Sequence, residues 1–142
     1  MAVYTIKVSL AIKAGKNTLV LTPTFCEVDL DENAPSRIVW MLDDGGTDAH
    51  FVLRSGRNGF LFDWDDVPGK GVFGSIDADP AGKTISTTDN HFGVGKFGRW
   101  RYRLRVKQGP TVYTTPLASG GTKGAGQVDR RDEGNHPVII NR

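Results

Sequence analysis

The stretch Arg99-Trp100-Arg101-Tyr102-Arg103-Leu104-Arg105-Val106 alternates arginine with a large apolar side chain. A β-strand sends successive side chains to opposite faces, so Trp100, Tyr102, Leu104 and Val106 are predicted to line a core and the four guanidinium groups to form a row outside it. The same period of two recurs at Tyr4, Ile6, Val8, Leu10 and Ile12 against Thr5, Lys7, Ser9 and Lys13. It returns at Cys26, Val28 and Leu30 against Glu27, Asp29 and Asp31, an acidic mirror of the arginine row.

Other short runs complete the pattern. Thr18 to Leu21 reads as a strand after a turn at Ala14 to Asn17, and Ile38 to Leu42, apolar on both faces, reads as a central one. Further strands are expected at His50 to Arg54, through Phe60, Phe62 and Trp64, and at Val72 to Ile76 and Lys83 to Thr88. Thr111 to Thr115 returns antiparallel to the arginine strand after Gln108-Gly109-Pro110, and Pro137 to Ile140 closes the chain. The 18 glycines and 7 prolines lie between these runs, and no segment carries apolar residues at helical spacing behind a cap. The expected fold is all-β: residues 1–142 as one domain, an antiparallel two-sheet sandwich of Greek-key type, with a barrel as the second choice. Residues 118–134, rich in Gly, Lys, Arg and Asp without apolar anchors, are expected to form a long flexible loop.

Size and composition exclude several classes. A domain of 142 residues buries roughly two thirds of its unfolded surface and needs no staple. Apolar residues at 38% and charged residues at 24% argue against disorder, and no run approaches the roughly 20 apolar residues of a membrane span. With 18 basic against 16 acidic residues, the net charge of +2 is too small to mark a nucleic-acid protein. Cys26 is the single cysteine, so no internal disulfide forms. The opening residues show no signal-peptide pattern, which makes a cytoplasmic location the default expectation.

Gly98-Arg99-Trp100-Arg101-Tyr102-Arg103-Leu104-Arg105-Val106, taken with His136-Pro137-Val138-Ile139-Ile140, resembles the last part of bacterial immunoglobulin-like and cupredoxin-like sandwiches. There a Gly-x-aromatic-x-Tyr-x-apolar-x-Val strand precedes the closing strand. The likeness covers the C-terminal third, and Asp48-Ala49-His50-Phe51-Val52 also looks like the place where cupredoxins carry their first copper histidine. The resemblance implies the fold and not the redox chemistry. Leu104 stands where the copper cysteine would be, Lys107 stands near the histidine position, and no methionine follows.

Candidate chemistry centres on Arg99, Arg101, Arg103 and Arg105, which a strand spaces about 6.6 to 6.8 Å apart. Such a row suits an acidic protein surface or another subunit, because the planar guanidinium binds carboxylates bidentately. It also suits a polyanion, although Trp100 and Tyr102 face away from the arginines, unlike the stacking platforms of nucleic-acid sheets. Within the chain, Glu27, Asp29, Asp31, Asp63 and Asp65 are available partners. Calcium candidates are Asp43 and Asp44 with Asp48, then Asp63, Asp65 and Asp66, and Asp77 with Asp79; none fits the EF-hand spacing.

His50, His91 and His136 are too dispersed for a local zinc motif, and Ser36, Ser55 and Ser119 lack a nucleophile-elbow context. Gly93-x-Gly95-x-x-Gly98 precedes a strand rather than the helix that phosphate binding needs. Trp40, Trp64 and Trp100 fall in inward register, which favours core packing over a sugar-stacking platform. The sequence thus points to a non-catalytic binding or assembly module without a cofactor, whose partner is a protein or a second copy of the chain. A carbohydrate- or calcium-dependent surface-binding module is the alternative, and a polyanion-binding protein the third reading.

Overall fold

The computed structural model describes residues 2–30, 34–43, 48–56, 59–61, 63–91, 95–115 and 136–142, with 54–56 and 59–61 described by their backbone alone. The expected loop at 118–134, together with Asp31, Asp44, Phe62, Gly93 and Ser119, lies outside these residues.

The alternating N-terminal run forms β1 (Val3–Lys13), which turns back into β2 (Lys16–Thr22). The two-residue turn holds Ala14 at φ 50° and Gly15 at φ 75°. Positive φ at both positions matches the right-handed twist of the flanking strands. Ile6 and Val8 are buried as the alternation predicts, whereas Ile12, expected inward, stands 69% exposed next to the turn and past the end of the core. After β3 (Phe25–Val28), the apolar run forms β4 (Ser36–Leu42), which lies parallel to β1 and antiparallel to β10 (Thr84–Asp89). The expected central place of this run is therefore the observed one.

The segment expected as one strand from His50 to Arg54 divides into β5 (Ala49–Phe51) and β6 (Arg54–Gly56). β6 pairs with β7 (Gly59–Leu61), and β8 (Asp63–Trp64) follows. Val72 to Ile76 is not a strand. It holds single bridges at Phe73, opposite Asp89, and at Ile76, and between them the Gly74 carbonyl is taken by the Thr87 hydroxyl at 2.9 Å. β9 (Asp77–Ala78) then pairs with β10.

The arginine stretch also divides. β11 (Gly98–Arg103) and β12 (Arg105–Gln108) belong to different sheets, with the break at Leu104. β12 turns into β13 (Thr111–Thr114), the hairpin read from the sequence, and the chain closes with β14 (Val138–Asn141). At the break the Leu104 N–H donates to the Thr115 hydroxyl and the Leu104 carbonyl accepts the Thr115 N–H, both at 3.2 Å. A strand that bends from one sheet to the next makes a corner between them.

The larger sheet has eight strands in the order β5-β12-β13-β2-β1-β4-β10-β9, and the smaller has four in the order β3-β14-β11-β8. The fold is all-β and sandwich-like, with no helix among the described residues. Both sheets are mixed rather than purely antiparallel, since β1–β4, β2–β13 and β3–β14 are parallel pairs. The core joins Ile6, Val8, Leu19, Leu21, Ile38, Trp40, Ile85 and Val106 of the larger sheet to Cys26, Val28, Tyr102 and Ile139 of the smaller. A polar tie across it is the Trp40 indole N–H, which donates to the Tyr102 hydroxyl at 2.9 Å.

An eight-stranded, strongly twisted sheet tends to curl. Here its ends meet: the Phe51 N–H of β5 donates to the Gly82 carbonyl at 2.8 Å, and the Lys83 ammonium donates to the Ala49 carbonyl. The turn between β9 and β10 thus seals the edge of β5.

Candidate functional site

β11 keeps its inward set buried through the corner, with Trp100, Tyr102, Leu104 and Val106 all in the interior. The arginines therefore face outward, and three of them meet the acidic segment that begins at β8. In the antiparallel pairing of β8 with β11, Trp64 lies opposite Tyr102 and Asp63 opposite Arg103. The ion pairs run diagonally across this register.

Asp66 Oδ2 accepts from Arg101 Nε at 2.7 Å and from the Arg101 backbone N–H at 3.0 Å, while Asp66 Oδ1 accepts from Arg101 Nη2 at 3.0 Å. This is the bidentate fork that distinguishes arginine from lysine. It holds the Asp66 carboxyl below the ordinary carboxylate range. Arg103 Nε donates to Asp65 Oδ1 at 2.8 Å, and Arg105 Nη1 lies 3.1 Å from Asp63 Oδ2. The Asp65 N–H donates to the Arg101 carbonyl at 2.9 Å, so the backbone sets the acid row as firmly as the charges do. Arg99, the fourth member of the row, stands exposed near the start of β11 with Ile140 opposite it.

Two predicted groups, the arginine row and the second set of calcium candidates, are thus each other's partners. Asp63, Asp65 and Asp66 each face a guanidinium. Asp43 follows β4 with its N–H on the Val8 carbonyl, and Asp48 is exposed just before β5. Among the described residues no three His, Cys, Asp or Glu side chains are grouped to hold a metal ion. The acidic mirror serves another cation, since Arg142 lies 3.2 Å from Glu27 and 3.0 Å from Asp29.

His136 is buried behind the ladder, with Nε2 at 2.8 Å from Asp65 Oδ2 and Nδ1 at 3.3 Å from the Pro137 carbonyl. Burial lowers its pKa from the ordinary histidine value, against the pull of that carbonyl and of Asp65. The unfolded chain therefore takes up this proton before the folded one does. Stability is expected to fall as the pH drops from the ordinary histidine value of 6.5 towards the lower folded value. Thermal melts between pH 8 and pH 5 check this: His136→Gln should flatten the decline, and an equal decline in both proteins would assign it elsewhere.

His50 lies on β5, exposed, and His91 is buried beside Asp89 with Nε2 at 3.9 Å from Asp89 Oδ1. Asp89 itself is a finding the sequence reading missed. It ends β10 in the same inward register as Ile85 and Thr87, and it is fully buried. Asn141 Nδ2 donates to its Oδ1 at 3.1 Å. The alternation Ile85-x-Thr87-x-Asp89 carried the signal, because a strand read one residue longer places Asp89 inside.

Cys26 is buried, and chiefly that burial pushes its thiol up to about 12, so it is a protonated, unreactive core side chain. Trp40 and Trp100 are buried as their register implies. Trp64 is half-buried and stacks on Phe73 with ring centroids 5.2 Å apart. Compared with protein-family models, with curated proteins and with solved structures, the chain matches none.

Proposed function

We propose that this chain is a non-catalytic binding or assembly module whose contact face is the Arg-Asp ladder of β11, β12 and the 63–66 segment. The observation that carries the reading is the matching of Arg101, Arg103 and Arg105 by Asp66, Asp65 and Asp63. The ladder holds long side chains in place before any partner arrives, which reduces the ordering cost of association. It also balances their charge, which favours a protein surface of alternating sign over a polyanion.

A second copy of the chain fits this chemistry. A two-fold interface places the same patch on both sides, and a patch carrying both signs is complementary to itself. The outward-facing Arg99 and Arg105 would make the added contacts, Arg105 being 45% exposed beyond its pair with Asp63. The resemblance of the last third to immunoglobulin-like and cupredoxin-like sandwiches is consistent with a binding role. Leu104 is buried in the core where a cupredoxin would carry its copper cysteine.

Sedimentation velocity across a salt series tests the proposal, comparing the parent protein with Arg99→Ser/Arg105→Ser and running heparin in parallel. Self-association that weakens with salt and is at least tenfold weaker in the variant is the expected result. A parent protein that is monomeric at every salt concentration, or one that binds heparin instead, overturns it.

A further inference from the structure

We propose that Asp89 and Asn141 form a carboxylic acid–amide pair, in which a proton on Asp89 Oδ2 is donated to Asn141 Oδ1 and latches β10 to β14. The pair joins the two sheets, because β10 belongs to the eight-stranded sheet and β14 to the four-stranded one.

The hydrogen-bond inventory leads to this proton. Asn141 Nδ2 has two hydrogens and two acceptors, Asp89 Oδ1 at 3.1 Å and the Lys96 carbonyl at 2.9 Å. Reversing the amide would set its oxygen against both of those acceptors, so its orientation is determined. Asp89 Oδ1 also accepts the His91 backbone N–H at 3.3 Å. Two oxygens, Asp89 Oδ2 and Asn141 Oδ1, are then left buried without a hydrogen-bond donor among the described residues. Each belongs to a group already joined to the other through Nδ2 and Oδ1. One proton on the carboxyl satisfies both and closes a ring of two hydrogen bonds, the arrangement a carboxylic acid and a primary amide adopt when paired.

The surroundings favour the neutral acid. Asp89 is fully excluded from solvent, where an ionised carboxylate is costly. Burial raises its pKa from the ordinary aspartate value, against the Asn141 hydrogen bond and the His91 charge, which favour ionisation. The titratable groups facing it are His91, in the segment after β10, and Cys26 of β3, which is a neutral thiol. Its backbone partners Ser36 of β4 and Phe73 carry no charge, and the Lys96 ammonium sits 5.4 Å from the centre of the Phe97 ring.

On ionisation the proton leaves to solvent, and Oδ2 and Asn141 Oδ1 are both left as buried acceptors without a donor, which loosens the latch. The folded state holds the proton at pH values where the unfolded chain has lost it. Stability is therefore expected to decline as pH rises from the ordinary aspartate value of 3.8 towards the folded value. This trend is opposite in sign to that of His136.

Asp89→Asn tests the latch, since its amide can donate from Nδ2 to Asn141 Oδ1 as the acid does. The expected result is a folded variant whose melting temperature does not share the parent's decline as pH rises above 3.8. In the parent protein, the Asp89 carboxyl carbon, followed by NMR through a pH titration, should keep the protonated chemical shift above the ordinary aspartate value of 3.8. A carboxyl that titrates at or below 3.8, or a variant that keeps the parent's decline, overturns the proposal. Should Asp89→Asn fail to fold, the parent's carboxyl shift decides by itself.

Discussion

Replacing Gly82 by alanine is expected to destabilise the protein by about 2–4 kcal/mol, the sum of a backbone and a packing cost. Gly82 sits at φ +70°, and a Cβ there would lie 2.9 Å from the Cβ of His50. The left-handed conformation costs an alanine roughly 1–2 kcal/mol, and the forced contact adds an overpacking cost of similar size. His50 cannot withdraw its Cβ by changing rotamer, and its strand is tied to the same turn through the Phe51 N–H and the Gly82 carbonyl. The consequence is larger than the loss of one turn, because this contact brings the two ends of the eight-stranded sheet together. Urea denaturation of Gly82→Ala, alone and with His50→Gly, separates the two causes. Removing the His50 Cβ should recover the packing part and leave the backbone part, whereas equal losses in both backgrounds would remove the clash from the explanation.

Tyr102→Phe is expected to cost about 1–3 kcal/mol although it deletes one oxygen atom. The Trp40 indole N–H donates to that oxygen at 2.9 Å, and both side chains are fully buried. Burial pushes the Tyr102 phenol pKa up, so it is a neutral hydroxyl throughout the working range of pH. Phenylalanine would keep the edge-to-face contact of the rings, whose centroids are 5.6 Å apart, and leave the indole N–H without this acceptor. A Trp40→Phe/Tyr102→Phe pair should lose less than the sum of the single changes, since removing donor and acceptor together leaves no orphaned group. Chemical denaturation of the four proteins measures this; strict additivity would show that the bond does not couple the sheets.

The two costs differ in kind from the loss of a surface ion pair. The outer rungs, Arg101–Asp66 and Arg105–Asp63, are partly exposed, and such a pair is worth only about 0.2–1 kcal/mol. The ladder is therefore better understood as a device that positions charge than as one that holds the sandwich together. The Trp40–Tyr102 bond and the Gly82 contact join the sheets and close the larger one.

Period-two alternation by itself determined the all-β class and most of the inward set, because a strand's pleat forces neighbouring side chains to opposite faces whatever the strand pairs with. Trp100, Tyr102, Leu104 and Val106 are buried for that reason, and so are Ile6, Val8, Ile38 and Trp40. The same local rule placed the arginines outside, where Glu27, Asp29, Asp31, Asp63 and Asp65 were all available to them. What alternation does not contain is the identity of the neighbouring strand. Choosing Asp63, Asp65 and Asp66 over Glu27 and Asp29, dividing one alternating run between two sheets at Leu104, and setting β1 parallel to β4 all depend on residues far apart in the chain. The burial of Asp89 against Asn141 is of the same kind: 52 residues separate them, and only the approach of β10 to β14 makes one proton a structural element. Local periodicity decides which way a side chain points, and the packing of distant strands decides what it meets there.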